Sequence, residues 1–347
     1  VKNKKDSTKM AQNVLVTGGG GFLGKAIVRR LVKQGYQVRS LARSLYSELD
    51  NLGVEQIEGD IYQPSAVEKA CEGMDIVFHV AARAGVEGSY KSFYRTNFLG
   101  TINVLNACRK YGISHLIYTS SPSVVFDGRD MEGADESAPY PNHYKAYYPR
   151  TKALAEQAVV HAAQNGVSAI ILRPHLIWGP EDNHLVPRIL KRGRRLARIG
   201  KANKLVDTIY IDNAADAHIL ALDSLKKNPA LSGRTYFVSQ DDPVPMWDMI
   251  NGILKAGGQP PIERYIPYRL AWCAGAVLEC LFRILPIKGE PPLTRFLAEE
   301  LATAHWFSLA AAKRDLGYQT HVSIQEGLQR LSVWLQSDPY NIRILDP

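Results

Sequence analysis

From Asn13 to Leu172 short apolar runs rich in β-formers alternate with stretches whose apolar residues recur at helical spacing. The pattern predicts strands at Asn13–Thr17, Gln37–Leu41, Val54–Glu58, Ile76–Val80, His115–Ser120 and Ser168–Leu172. Between them it predicts helices at Phe22–Gln34, Ser65–Cys71, Lys91–Tyr111 and Tyr148–Asn165. Such alternation marks a parallel sheet covered on both faces, because parallel neighbours need a crossover long enough to be a helix. The expected fold class is α/β, a Rossmann-type doubly wound parallel sheet with ligands beyond the carboxyl ends of its strands. After Pro174 the chain changes to Pro-interrupted segments with helices and a few strands, among them Thr208–Ile211 and Thr235–Ser239. This half reads as a smaller mixed α/β substrate lobe. The expected division is a disordered Lys-rich tail at 1–11, a first domain at 12–174 and a substrate lobe at 175–347 interwoven with it. No internal repeat or low-complexity linker separates them.

Two segments leave alternatives open. Leu270–Leu285 is apolar but shorter than a membrane span and carries Glu279 and Arg283. It is read as a core or lid helix, with shallow insertion at a membrane surface or acyl-chain binding as the alternatives. Arg188–Lys201 is strongly basic. A solvated face is the first reading and a site for an anionic substrate or membrane the second, whereas no aromatic interleaving supports nucleic acid.

Composition narrows the classes. The chain of 347 residues, 46% hydrophobic, can bury a full α/β domain and more. Its net charge of +8 favours anions without choosing between a phosphorylated cofactor, an acidic substrate, nucleic acid and lipid head groups. Four cysteines without a CxxC pair and nine scattered histidines give no disulfide framework and no metal-ligand spacing, so no metal is expected. A reducing, cytoplasmic setting fits this usage, and the polar opening at 1–10, lacking an apolar core, does not read as a secretory signal.

Directly after the first strand stands Thr17-Gly18-Gly19-Gly20-Gly21-Phe22-Leu23-Gly24. Gly18 permits a tight turn, Gly21 lets the backbone approach a pyrophosphate, and Gly24 allows close packing of helix on strand. The opening helix then offers unpaired N–H groups at Phe22 and Leu23 and the positive end of its dipole. The second strand ends in Ala42-Arg43 rather than in the carboxylate that would bind adenosine ribose hydroxyls in an NAD enzyme. Arg43 is suited to a 2′-phosphate, so NADP(H) is preferred with NAD(H) as the alternative, and Arg39 is either a helper or a strand residue facing solvent. Asp60-Ile61, ending the third strand, would meet the adenine, a turn-capping Asp being the competing reading.

Tyr148 and Lys152 lie four residues apart, hence on one helix face. A phenol is a poor acid at neutral pH unless a neighbouring ammonium favours the phenolate, and this pair supplies that arrangement. Tyr148 is therefore the candidate proton donor to a carbonyl as hydride reaches carbon, with Lys152 also reaching the nicotinamide ribose. Ser121, chosen over Ser120 at the end of the fifth strand, would donate to the developing oxyanion. Asn97 is a further polar candidate, with helix capping or packing as its rival reading.

The order of these features resembles the extended short-chain dehydrogenases, in particular their 3β-hydroxysteroid dehydrogenase-like branch. Thr17–Gly24, His79-Val80-Ala81-Ala82, Tyr118-Thr119-Ser120-Ser121, Tyr148–Lys152 with Ala153–Glu156, and Leu172-Arg173-Pro174 through Gly179-Pro180 carry the resemblance, which runs from Val14 to about Leu331. It implies a catalytic Ser121, Tyr148 and Lys152, a supporting Asn97, cofactor contacts at Ala81 and Ala82, and Pro174-His175 flanking the nicotinamide. It also implies a homodimer through the helices Lys91–Tyr111 and Tyr148–Asn165, the competing reading being that Phe98, Ile102, Leu105 and Cys108 of the first pack on the chain's own sheet. Val125-Phe126 replaces the Tyr-Gly usual in the sugar-nucleotide enzymes of the family, against such a substrate. The segments Leu176–His184, Tyr210–Ala215, Pro292–Leu297 and Val322–Leu331 resemble the branch serving bacterial long-chain olefin biosynthesis. That likeness implies reduction of the 3-keto group of a long-chain 2-alkyl acid, a hydrophobic small molecule bearing a carboxylate. Hydroxysteroid or sterol oxidation and an idle cofactor-sensing role are the alternatives.

Overall fold

The computed structural model describes residues 12–85, 88–193, 196–285 and 291–337. The tail expected at 1–11 lies outside the described residues, as do Arg194 and Arg195 of the basic run. Seven parallel strands form the main sheet: β1 (Asn13–Thr17), β2 (Gln37–Ala42), β3 (Glu55–Glu58), β4 (Ile76–His79), β5 (His115–Thr119), β6 (Ala169–Pro174) and β7 (Thr235–Val238). Their spatial order is β7-β6-β5-β4-β1-β2-β3, the doubly wound arrangement expected. The helices α1 (Phe22–Lys33) and α5 (Ile211–Lys227) pack together over one face. The other face carries α2 (Pro64–Cys71), α3 (Gly100–Tyr111) and α4 (Tyr147–Gln164).

Because side chains alternate along a strand, one run feeds two cores. Val14, Val16, Phe78, Ile117, Ile170 and Leu172 join the core beneath α1 and α5. Leu15, Val77, Leu116, Tyr118, Ala169 and Ile171 join the core beneath α2, α3 and α4. This explains why β4 and β6 are buried along their whole length and read as continuous apolar runs.

Three expectations shift. Thr235–Val238, read as a substrate-lobe strand, pairs with β6 in register Thr235↔Ile171 to Val238↔Pro174 and closes that edge of the main sheet. Thr208–Ile211 shortens to the strand Ile209–Tyr210, because Ile211 already opens α5. The helix expected over Lys91–Tyr111 is interrupted by a π-helical stretch, Tyr94–Leu99, before α3 begins. There Thr101 Oγ1 donates to the carbonyl of Asn97 at 2.6 Å while the Asn97 amide reaches out to other elements, so the turn widens.

Four further strands form a smaller mixed sheet in which Leu205–Val206 pairs antiparallel with Val244–Pro245 and parallel with His305–Phe307, itself parallel to Met131–Ala134, while Ile177–Trp178 pairs with Ile209–Tyr210 and Arg198–Ile199 with Tyr265–Ile266 in two-stranded sheets. A long helix, α6 (Tyr268–Ile284), packs on the short helix Arg295–Glu300. No helix among the described residues is long and apolar enough to cross a membrane.

Candidate functional site

The glycine turn sits at the carboxyl end of β1. Gly18 has φ +73°, and a Cβ on Gly24 would stand 2.0 Å from the Gly18 carbonyl oxygen, so the helix lies on the turn only because both lack side chains. Gly21 caps α1, whose first turn carries no acidic residue, so the N–H groups of Phe22 and Leu23 stand at an uncompensated positive helix end. Ala81, just past β4, donates its N–H to Thr17 Oγ1 at 3.2 Å and touches Gly18, with the exposed Ala82 following it.

At the adenosine side the candidates divide. Arg43 is exposed just beyond β2. Arg39 is committed elsewhere: it pairs with Glu55 at 2.8 Å and donates to the carbonyls of Ala70 and Glu72 at the end of α2. Its expected help to Arg43 is therefore replaced by a structural role. Asp60 accepts from the N–H of Tyr62 at 2.9 Å, which is the turn-capping geometry, yet stays partly exposed. Ile61 is buried against Gly100 at the start of α3.

The reactive trio converges beyond β5. Tyr148 opens α4 with Ser121 close enough to favour its phenolate, and the Ser121 Oγ lies 2.9 Å from that of Ser123. Ser120 instead points into the core with its hydroxyl lacking a protein partner. Burial pushes the Tyr148 phenol above its ordinary range, Ser121 works against this, and Glu300 adds to it. The expected lowering by Lys152 is absent. The Lys152 ammonium is held by β5, donating to the Thr119 carbonyl at 2.6 Å and to the Tyr118 hydroxyl at 2.8 Å. Burial lowers its pKa to about 7, with Glu156 opposing.

The donors can be ordered beneath Lys152. Thr101 spends its single hydroxyl proton on the Asn97 carbonyl, so it accepts from His79 Nε2 at 3.0 Å. His79 Nδ1 then accepts from Thr17 Oγ1 at 2.7 Å. A directional chain thus ties the glycine turn to the π-helical stretch. Asn97 accepts from the N–H of Arg83 at 2.7 Å and donates to the Arg83 carbonyl and to Thr151 Oγ1, both at 3.1 Å. These hydrogen bonds clamp the segment after β4 to α4. Further up α4, Glu156 and Arg173 form a fully buried pair at 2.5 Å that Tyr140 joins by donating at 2.6 Å.

One wall of the site was not visible in the sequence. Pro174 ends β6, and His175 follows with Nε2 2.7 Å from Nδ1 of His305. His305 Nε2 must donate to the Glu300 carbonyl at 3.0 Å, so its Nδ1 accepts and His175 Nε2 donates. Burial holds both imidazoles below their usual range, hence neutral. Phe126 stands edge-on to His305 and to Phe296, at 6.4 and 6.2 Å between centroids. Glu300, raised by burial to about 7 and opposed by Arg188, faces Tyr148 from this wall. Only Val125-Phe126 signalled an apolar lining; His305 and Glu300 come from a distant segment with no motif. Among the described residues no group of three or more His, Cys, Asp or Glu gathers as for a metal.

Residues 15–267 match the 3-beta hydroxysteroid dehydrogenase/isomerase family. Similar proteins include the 2-alkyl-3-oxoalkanoate reductase of Stenotrophomonas maltophilia (strain K279a), 49% identical over 323 residues, covering 92% of this chain and 98% of the relative. The protein of that name from Shewanella oneidensis is 47% identical over 333 residues, covering 93% and 86%. Among solved structures, UDP-glucuronic acid 4-epimerase from Bacillus cereus in complex with NAD has a TM-score of 0.72 over 94% of this chain and 99% of its own, and at 20% identity it shares the fold. With its sheet order, glycine turn and family match, the chain belongs to the 3-beta hydroxysteroid dehydrogenase/isomerase family of extended short-chain dehydrogenases and is an NAD(P)-dependent oxidoreductase.

Proposed function

We propose that this protein uses NADPH to reduce the 3-keto group of a long-chain 2-alkyl-3-oxoalkanoic acid to the 3-hydroxy acid. What supports the reading is Tyr148 beside Ser121, with Lys152 one turn along the same helix and held on β5, near an apolar aromatic wall, in a chain nearly half identical to two proteins named 2-alkyl-3-oxoalkanoate reductase.

The cofactor's shape fits the residues present. Gly18 and Gly24 let the helix close directly onto the turn, which leaves the N-terminus of α1 to face a pyrophosphate. Gly21, Phe22 and Leu23 would bind it through backbone N–H groups, Arg43 would take the 2′-phosphate, and Asp60 and Ile61 would meet the adenine. Ala81 and Ala82 would line the ribose path, with Pro174 and His175 flanking the nicotinamide. The bound cofactor supplies hydride. Ser121 donates to the keto oxygen, and Tyr148, kept protonated by burial, gives up its proton to that oxygen as the alkoxide forms. Lys152, with two N–H bonds spent on β5, keeps its third for the ribose. A homodimer belongs to the same proposal, supported by the partly exposed Tyr94, Phe98, Ile102 and Leu154 on the two helical segments expected to pair.

Purified protein is expected to consume NADPH with a 2-alkyl-3-keto acid, and Tyr148→Phe to abolish turnover while NADPH still quenches protein fluorescence. Turnover surviving in that variant sinks the assigned acid, and much faster oxidation of a 3β-hydroxysteroid would replace the substrate. Arg43→Ala should weaken NADPH by about ten- to a hundredfold, the worth of a charge-assisted bond, and leave NADH nearly unchanged.

A further inference from the structure

Three segments that reach the reactive centre separately meet at Glu299. This carboxylate is 4% exposed, in the last turn of the short helix Arg295–Glu300. A negative charge there is opposed by the helix dipole and by its own desolvation, so the stability of that helix does not account for it. Its partners do. Both oxygens accept from Lys145 Nζ, at 2.7 and 2.8 Å, and Oε1 also accepts from the Trp272 indole of α6 at 3.2 Å. The loop that follows β5 crosses the pair: a Cβ on Gly128, whose φ is +93°, would stand 3.1 Å from both Glu299 Oε2 and Lys145 Nζ.

Each segment also carries a group of the site. The loop reaching Gly128 starts from Ser121 and passes through Phe126. Lys145 stands three residues before Tyr148, and its neighbour Tyr144 donates to the Val124 carbonyl at 2.8 Å, a second tie between the approach to the phenol and the serine loop. Phe296, three residues before Glu299 and so on the same side of their helix, meets Phe126 edge-on. The ion pair itself is unequal, with the carboxylate side chain 5% exposed and the ammonium side chain 53%. Water screens much of the Lys145 charge, so the pair offsets the desolvation of Glu299 without adding much stability. What it supplies is a fixed register between the three segments.

We propose that Glu299 is a positioning residue for the reduction: by gripping Lys145 against Gly128 it sets the separation of Ser121 from Tyr148. This rests on Tyr148 being the proton donor and deepens that reading, whichever carbonyl compound is the substrate. Glu299 touches neither substrate nor cofactor and acts only through the two segments it joins.

The test compares variants of the full chain at saturating cofactor, on a 2-alkyl-3-keto acid with NADPH and on a 3β-hydroxysteroid with NADP+, using whichever the unsubstituted chain turns over faster. Glu299→Gln keeps the shape and the acceptor for Trp272 but loses the charge that Lys145 answers. It and Lys145→Met should each lower kcat and kcat/KM together by about ten- to a hundredfold, the cost of a small misplacement of reacting groups, while NADPH quenches protein fluorescence as before. Lys145→Arg, whose fork can span both carboxylate oxygens, should recover most of that loss. Lys145→Met with Glu299→Leu removes both charges, so it should melt close to the unsubstituted chain yet stay as slow as the single variants. Adding Ser121→Ala to Glu299→Gln should cost much less than Ser121→Ala alone, because a hydroxyl already displaced has little left to lose. Full speed in the variant lacking both charges overturns the proposal, as does strict additivity of Glu299→Gln and Ser121→Ala; either leaves Glu299 a purely structural residue. Turnover surviving Tyr148→Phe would instead sink the reading on which the proposal rests, and absence of turnover on both substrates would sink the two together.

Discussion

Lys152 depends on two neutral acceptors, Tyr118 and the Thr119 carbonyl, to keep an ammonium in a buried place. Removing one should be felt in charge as well as position. Tyr118→Phe is expected to lower turnover about ten- to a hundredfold, the worth of a hydrogen bond to a charged group. Because the lost acceptor favoured the charged form, the lysine's titration, now near about 7, should move to lower pH in the profile of kcat/KM. A purely structural role for Tyr118 would lower the rate without moving the profile. Glu300 titrates in the opposite sense. Its folded pKa, raised to about 7 by burial, exceeds the unfolded carboxylate value, so its contribution to stability declines as pH rises from about 4.5 to about 7. Glu300→Gln should remove that decline, gaining on the order of 1–2 kcal/mol over the native residue by pH 7 in denaturant titrations. The glycine turn and the Tyr148–Lys152 spacing were legible because their geometry is local to one turn or one helix. Tyr118, His305 and Glu300 were not, since each takes its role from a residue far away in the chain. Arg39 misled for the same reason: a strand position says which face a side chain leaves from, not that α2 ends within its reach.

At the scale of elements, α4 is held to β6 by the pair Glu156–Arg173, buried on both sides. Taking two charges out of water is tolerable only while each keeps the other, so breaking the pair should cost more than replacing it. Arg173→Met is expected to destabilise by about 3–5 kcal/mol in chemical unfolding, and adding Glu156→Leu should recover most of that loss. Additive losses in the double variant would mean that packing, not charge, governs the joint. Hydrophobic period predicted most of these elements well, since β4, β5 and β6 read as apolar runs of strand length. It could not anticipate the π turn at Tyr94–Leu99, because the widening comes from one threonine hydroxyl and one amide rather than from the pattern of apolar residues.

Across the whole molecule, three buried imidazoles and the partly buried His175 are kept neutral: His79 at about 3, His218 at about 4, and His175 and His305 below their usual range. Unfolded histidines take up protons below about 6.5, so between about pH 6 and pH 4 the unfolded chain binds more protons and stability falls with pH. A group whose folded value lies far below 6.5 contributes up to about 1.4 kcal/mol per pH unit, so His79 and His218 together predict an acid transition of up to about 3 kcal/mol per unit, with His175 and His305 acting in the same direction. His218→Gln should visibly shallow it in an acid titration followed by circular dichroism. An unchanged slope would mean that the imidazoles titrate alike in both states.

The strand at 235–238, laid against β6, has a consequence for anyone recombining such proteins. During synthesis the outer edge of β6 waits bare until that late strand emerges, and bare edges recruit foreign strands. A chimera joined after Pro174 would therefore import a stranger's strand into the nucleotide half, so a lobe exchange should leave 235–238 with its host.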